Sequence, residues 1–317
     1  MTLVSIITPS YNQAPYLEQT LRSVLEQDYT PIEYLVVDGG STDGSVEIIR
    51  RYAHRLTWWI SEKDQGQADA INKGLARSRG EIVAWLNSDD LYLPGAVRAA
   101  VQTLQTHPQA AFVYADAFSI DEQGQIFNHQ RARPFNLQDL LSFRIVPQPT
   151  VFIRRSALEK VGFLDPSYHF LLDHHLWIRL AQVGEMIYVP QTWAAARYHP
   201  QAKNRRQALM FGEEAKRILD WAATQPSLAP ILQPIRRRAH AGALFFQARY
   251  LRDGSQFGAA LHSWGKALLL HPPSLFRHLP LTFSLWLSML GLERLNYLFL
   301  NLRRQSFQRR GLTVHRL

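Results

Sequence analysis

Leu3-Val4-Ser5-Ile6-Ile7-Thr8 runs directly into Pro9-Ser10-Tyr11-Asn12, and helix-spaced apolar residues follow over Tyr16–Glu26. A short apolar, β-branched run closed by turn residues and followed by a helical period reads as strand, loop, helix. The pattern repeats along the chain. Ile32–Val37 is a second buried-strand pattern, stopped by Asp38-Gly39-Gly40, and Ser45–Tyr52 reads as a helix. Thr57–Ile60, Glu81–Leu86 and Ala110–Ala115 are further strands, with helices over Ala68–Ala76 and Ala96–Thr106 between them. Strands this apolar, alternating with helices, imply an α/β fold with a mostly parallel sheet covered on both faces. In such sheets ligands bind at the carboxyl ends of the strands, so the polar loops after strands one, two and four should line one cleft.

Past Gln148 the rhythm changes. Thr150–Ile153 and Met186–Val189 read as strands, Ser156–Val161 and Leu171–Gln182 as helices, and beyond about Gln201 nearly everything is helical. Charge changes over the same ground. Residues 1–202 carry 17 Lys and Arg against 21 Asp and Glu, whereas residues 203–317 carry 18 against 5, so −4 and +13 make up the net +9. The expected organisation is a catalytic domain over 1–202 and a basic α-helical domain over 203–317. The partner of the basic part should be anionic: lipid headgroups, a phosphorylated acceptor or nucleic acid.

With no cysteine, disulfides and thiol chemistry are excluded. The N-terminus has no basic region and no small-residue cleavage site, so a secretory signal is not expected and the N-terminal domain is placed in the cytoplasm. Leu279–Leu292 is uncharged and largely apolar, but 14 helical residues span only about 21 Å against a hydrocarbon core of about 30 Å. It is too short to cross. It suits either an interfacial helix, with Trp286 and Tyr297 as anchors beside Arg277, Arg303, Arg304, Arg309 and Arg310, or a buried core helix. Ala260, Trp264, Ala267 and Pro272 resemble half of a tetratricopeptide repeat, which alone implies no more than a helical hairpin.

Three constellations carry chemistry. Asp38 directly follows a buried strand and can accept from a base edge or ribose, while Tyr11 offers a stacking face; Asp43 and Ser45 read better as caps of the next helix. Leu86-Asn87-Ser88-Asp89-Asp90 ends another apolar strand, and two adjacent carboxylates there repel unless a cation neutralises them. Hard oxygen ligands of this kind suit Mg²⁺ or Mn²⁺ bridging to phosphate. Asp173, in Leu172-Asp173-His174-His175, stands near a helix start, as a base or only as a cap. The adjacent histidines point to different sides of a helix and do not make a zinc site.

Thr8–Asn12, Val36–Ser45, Ser61–Gly74, Gly80–Asp90 and Leu172–Arg179 occur in the order seen in family-2 glycosyltransferases of the GT-A fold, which the chain resembles over roughly residues 1–200. The resemblance implies an inverting transferase that takes a nucleotide-diphospho-sugar donor, UDP-, GDP- or dTDP-linked, with a divalent cation. It implies a nucleotide pocket at Thr8, Pro9, Tyr11, Asp38, Asp64, Lys73, Asn87 and Asp89, with Asp38 on the base. By the same likeness Asp89 and Asp90 would be metal ligands, His199 would approach the diphosphate and its metal, and Asp173 would be the catalytic base. Asn87 departs from the pattern, standing where many relatives have the first Asp of the DXD motif.

The expected reaction is sugar transfer to a lipid-linked or polysaccharide acceptor in cell-envelope or exopolysaccharide synthesis, at the inner face of the membrane. The partners expected are donor, glycan or lipid-linked acceptor and an anionic membrane surface, without nucleic acid. The alternatives are a nucleotidyltransferase on a related sheet and a nucleic-acid-binding protein using the basic segment. A dinucleotide-dependent oxidoreductase is disfavoured, because Pro9-Ser10-Tyr11-Asn12 lacks G-x-G-x-x-G.

Overall fold

Every residue of β1 (Val4–Ser10) is buried, which a strand can be only where both faces of its sheet are covered. The computed structural model describes residues 1–199, 207–289 and 291–309. β2 (Ile32–Asp38) and β4 (Ile82–Trp85) flank β1, and β3 (Trp58–Ser61) lies beyond β2, all parallel. Ser10 pairs with Asp38, and Asp38 with Ser61, so these three strands stop level with one another. The loops that follow therefore emerge at one edge. Helices α1 (Ala14–Leu25), α2 (Ser45–Tyr52) and α3 (Gln67–Arg77) make the crossovers.

Beyond β4 the parallel order gives way. β8 (Phe152–Arg154) runs antiparallel to β4 and to β6 (Ala110–Ile120), while β9 (Glu185–Arg197) is parallel to β6. Two short strands complete the sheet: β5 (Leu91–Tyr92), antiparallel to β9, and β7 (Ile126–Gln130), antiparallel to β6. Among the described residues the sheet has nine strands. α4 (Ala96–Thr106) precedes β6, α5 (Leu137–Leu141) follows β7, and α6 (Arg155–Val161) and α7 (Leu172–Leu180) follow β8. The expected α/β architecture is present.

Two strands are longer than their apolar runs. β6 continues through Asp116 because that carboxylate accepts from Tyr188 and from the backbone N–H of Ala132, both at 2.8–2.9 Å, which makes its burial affordable. β9 continues past Pro190, which has no N–H to give; the register jumps from Ala115↔Val189 to Asp116↔Thr192, so Pro190 and Gln191 bulge out of the ladder.

Two compact units divide the chain. One comprises Met1–Pro134, Val146–Tyr198 and the segment beginning at Phe307; the other comprises Phe135–Ile145 and His199–Ser306. The expected boundary between 202 and 203 lies outside the described residues, as does Arg310; the side chains of Arg277 and Tyr297 are likewise not described. In the second unit, α5 joins the helix Ala229–Asp253 through Arg238, which donates to Asp139 at 2.7 Å, and through Gly242, where a Cβ would strike the carbonyl of Ser142. Ala260 and Ala267 are fully buried in a core shared with Ala241, Phe245 and Ala248, so Ala229–Asp253 and Phe257–Leu270 form a helical hairpin. Among the described residues no helix is long and apolar enough to cross a membrane.

Candidate active site

The first wall of the site is built by the loops after β1, β2 and β3. Asp38 is fully buried, and its carboxylate accepts from the N–H groups of Gly40 and Ser41 and from the hydroxyls of Ser41 and Ser61, at 2.6–3.1 Å. One carboxylate thus shapes its own loop and fastens it to β3. The cap position of α2 is held by Gly44 at φ +99 rather than by Asp43 or Ser45, although Asp43 accepts from the Ser45 N–H that opens the helix. Asp43 accepts from Ala14 N–H and Ser45 accepts from Gln13 N–H, so the pair also closes the first turn of α1. Asn12, at φ +52, takes the left-handed conformation and accepts from Thr42 N–H, tying loop to loop. Thr8 is buried with its hydroxyl on Tyr34, and Pro9 is buried beside it, whereas Tyr11 stands 62% exposed.

Asp64 comes up against this wall. A Cβ built at Gly39 would lie 2.6 Å from Asp64 Oδ2, so only glycine leaves room for that carboxylate, which also accepts from Gly66 N–H. Lys73, on α3, bonds Glu62 at 2.8 Å and Asp69 at 3.3 Å, fixing the β3–α3 loop to its helix.

The second wall is the turn after β4. Asp90 is buried; Oδ1 accepts from Arg197 N–H at 2.9 Å and Oδ2 from the Asn87 amide at 3.3 Å. Asn87 in turn accepts from Gln67 at 2.8 Å and donates to Gln148 at 3.1 Å. Asp89 is half-buried next to it. Burial, and then the neighbouring Asp89 charge, push the Asp90 carboxyl well above the ordinary carboxylate value, against the bonds that favour its ionised form. Arg197 braces the turn from behind. Its guanidinium donates to the carbonyls of Asp89, Asp121 and Glu122 and to Gln19, and lies 4.8 Å over the ring of Tyr16.

The third wall is α7. Leu171 holds its cap position and Asp173 lies inside the first turn, half-buried, with Oδ1 accepting from His174 N–H at 2.7 Å. One turn on, Trp177 stacks on Trp85, the last residue of β4, with ring centroids 5.2 Å apart. That contact ties the start of α7 to the strand whose next turn carries Asn87 and Asp90. Arg179 donates to the carbonyls of Val161 and Phe163, securing the approach to the helix.

Parallel crossovers, acid-bearing loops at one edge and a carboxylate pair after β4 are the frame in which comparison becomes decisive. The model of the family described as glycosyl transferase family 2 matches residues 5–170. The chain belongs to that family. It is a glycosyltransferase. An uncharacterized glycosyltransferase of Rickettsia typhi is 28% identical over 220 residues, 67% of this chain and 69% of that protein. Among solved structures, S. aureus TarS in complex with UDP-GlcNAc matches with a TM-score of 0.57 at 16% identity, over 86% of this chain and 89% of that one. The mannosyltransferase PcManGT from Pyrobaculum calidifontis, in complex with GDP-Man and Mn²⁺, matches with a TM-score of 0.61 at 22% identity, over 96% and 86%. These two likenesses show the shared GT-A fold, and the family sets aside the nucleotidyltransferase alternative.

Within this family-2 transferase, the expected residues are brought together in part. Asp38 and Asp64 share one wall, with Tyr11 on the loop beside them; Asn87, Asp89 and Asp90 share the second. Thr8 and Pro9 sit within the sheet rather than on its open loops, and Lys73 is engaged by two carboxylates. His199 is buried and opens the second unit, two residues past Arg197. Gln148 and Arg197 are residues to which the sequence assigns no role, while Gln67 lies inside the Ser61–Gly74 segment that carries the resemblance. Each reaches Asn87 or the Asp89–Asp90 turn from a distant segment, and the strand read at Met186–Val189 stops short of Arg197, which in the structure ends β9.

Proposed function

We propose that this transferase is an inverting enzyme that moves a sugar from a nucleotide-diphospho-sugar donor to a hydroxyl of a lipid-linked or polysaccharide acceptor. The observation that carries the reading is the Asp89–Asp90 pair at the end of β4. Asp90 is buried beside a second carboxylate with its ionisation disfavoured, a state that a bound divalent cation relieves. The donor set fits Mg²⁺ or Mn²⁺: two hard carboxylates, with the remaining positions left to phosphate oxygens and water. No all-protein cage is needed, and among the described residues no cluster of three His, Cys, Asp or Glu forms one. Asp89, the more open of the two, and Asp90 would hold the ion; when bound, the ion neutralises the leaving nucleoside diphosphate.

Tyr11 and Asp64, with Asn87 and Asp89 opposite, would line the nucleotide pocket; the buried Asp38, expected on the base, shapes the loop beneath them, supported by Thr8, Pro9 and Lys73. UDP-, GDP- and dTDP-sugars are the donors of this class, and the UDP-GlcNAc and GDP-Man held by the two structural neighbours support it. Asp173 would take the acceptor proton as the acceptor oxygen bonds the anomeric carbon and the bond to the diphosphate breaks. The basic residues of 203–317 and the exposed Leu279, Phe283 and Trp286 favour work at an anionic membrane surface, on its cytoplasmic face.

A screen of UDP-, GDP- and dTDP-sugars with Mn²⁺ or Mg²⁺, reading released nucleoside diphosphate, tests this. One donor should be hydrolysed slowly, and excess chelator should abolish the release. Full turnover in chelator would remove the metal from the scheme; no turnover of any donor would remove the donor class.

A further inference from the structure

Inside the second unit, the helices Ala208–Thr224 and Ala229–Asp253 line an open cavity of about 610 Å³ that reaches Leu270 at the end of Phe257–Leu270. Its interior is apolar, with Ala243 and Leu244 on the floor, and Lys216, Arg236 and Arg237 stand at the exposed rim. Glu213 is the lone carboxylate among the lining residues, so the rim is net positive. Lys216 is held by Asp220, and the next arginine along the helix, Arg238, is held by Asp139. Among the described residues neither Arg236 nor Arg237 has an ion-pair partner. Two unpaired guanidinium groups over an apolar floor fit one ligand chemistry: a phosphate carried on a hydrocarbon. Burial, and then the charge of Arg236, push the His240 imidazole below its ordinary value.

The surroundings indicate where that hydrocarbon comes from. Leu270 lines the cavity, and exposed apolar residues stand near it in sequence: Leu269 is 86% and Phe276 77% exposed. The helix Leu279–Met289 carries no charged residue. Leu281 and Leu285 enter the core, while Leu279, Phe283 and Trp286, spaced by four and three residues, are exposed on the opposite side. A helix apolar on both sides needs cover on both. The core covers one, and a bilayer interface suits the other, since tryptophan and leucine settle at headgroup depth.

We infer that this cavity receives the phosphate head of a membrane lipid, with Arg236 and Arg237 as its charge contacts and the apolar face set on the bilayer. The inference rests on the membrane-surface reading above and is independent of the donor assignment. It is tested by sedimenting the full chain with vesicles of phosphatidylcholine alone and of phosphatidylcholine with phosphatidic acid. The wild-type chain should bind the second far more tightly. Arg236→Ala with Arg237→Ala should weaken that binding roughly 10- to 30-fold, each basic side chain near an anionic surface being worth a factor of about five. Both side chains are exposed, so the melting temperature should not move. Equal binding by wild type and double variant would overturn the cavity while leaving membrane association standing, and no wild-type binding would overturn both. Complete competition by millimolar inorganic phosphate would overturn the lipid source and make this a site for a free phosphate.

Discussion

The backbone N–H of Arg197 donates to Asp90 Oδ1 over 2.9 Å, joining the end of β9 to a turn 107 residues earlier. The bond needs only a backbone N–H, so any residue but proline could make it at 197. What needs arginine is the guanidinium, which holds three carbonyls and Gln19 at once and so sets where the Asp89–Asp90 turn stands. Arg197→Lys keeps the charge but not the fork, and leaves buried carbonyls without donors. We expect a loss of about 3 kcal/mol in urea unfolding, together with weaker metal-dependent donor binding. Unchanged stability would show that the carbonyls find other partners.

Gly39 faces Asp64 with no room between them. A Cβ there would sit 2.6 Å from Oδ2, and the backbone is not in the left-handed region, so space alone forbids a side chain. Gly39→Ala should fold, because a short carboxylate can swing away, yet it should weaken nucleotide binding tenfold or more, the scale on which small misplacements act. Combining it with Asp64→Ala relieves the clash. The double variant should then bind no worse than Asp64→Ala alone; additive losses, measured by nucleoside-diphosphate titration, would mean Gly39 acts through something other than Asp64.

Glu33 is buried at the opposite end of the sheet. Burial alone would raise its carboxyl, but the bonds from Ser5 and from the backbone and guanidinium of Arg79 outweigh that and hold it below the ordinary 4.5. A carboxyl lowered by folding contributes its full stability above its unfolded value and loses it as pH falls through the folded one. Wild type should therefore lose stability progressively below about pH 4.5, whereas Glu33→Gln should be about 2 kcal/mol weaker at neutral pH and flatter in acid. Parallel acid limbs in thermal melts of the two proteins would refute the assignment.

Much of the catalytic frame was legible because its signals are local. A buried run such as Val4–Ser10 followed by turn residues declares a parallel strand, and Asp38 or Asp89-Asp90 at such an end marks a candidate site. What escaped is long-range. Arg197 meets partners 75 or more residues away, and nothing in its neighbours names them. β5 is two residues long, too short for any period to show. β6 outran its apolar run because Asp116 is paid for by Tyr188 on another strand. Residues 135–145 join the second unit through the contacts of Gly242 and Arg238, a choice of packing that composition does not record.

Asp173 carries the sharpest prediction. An acceptor hydroxyl has a pKa far above neutrality, so attack on the anomeric carbon needs a base within hydrogen-bond reach. Asp173 lies in the first turn of α7, where the helix dipole favours the ionised form of a carboxylate, and Leu171 rather than Asp173 occupies the cap. Its bond from His174 N–H satisfies one first-turn donor of the helix, a structural task that asparagine can also perform. The stacking of Trp177 on Trp85 holds the next turn of α7 against β4, so a change at 173 should act on chemistry rather than on the placing of the helix. Asp173→Asn keeps the size and the ability to accept from His174 N–H while removing basicity. Donor binding and melting temperature should stay near wild type while transfer falls by about 10²-fold or more, the range for losing a general base. Raising the pH should not restore it, since an amide does not titrate there. A variant that transfers sugar at close to the wild-type rate would leave Asp173 as a structural residue of the turn and move the base elsewhere.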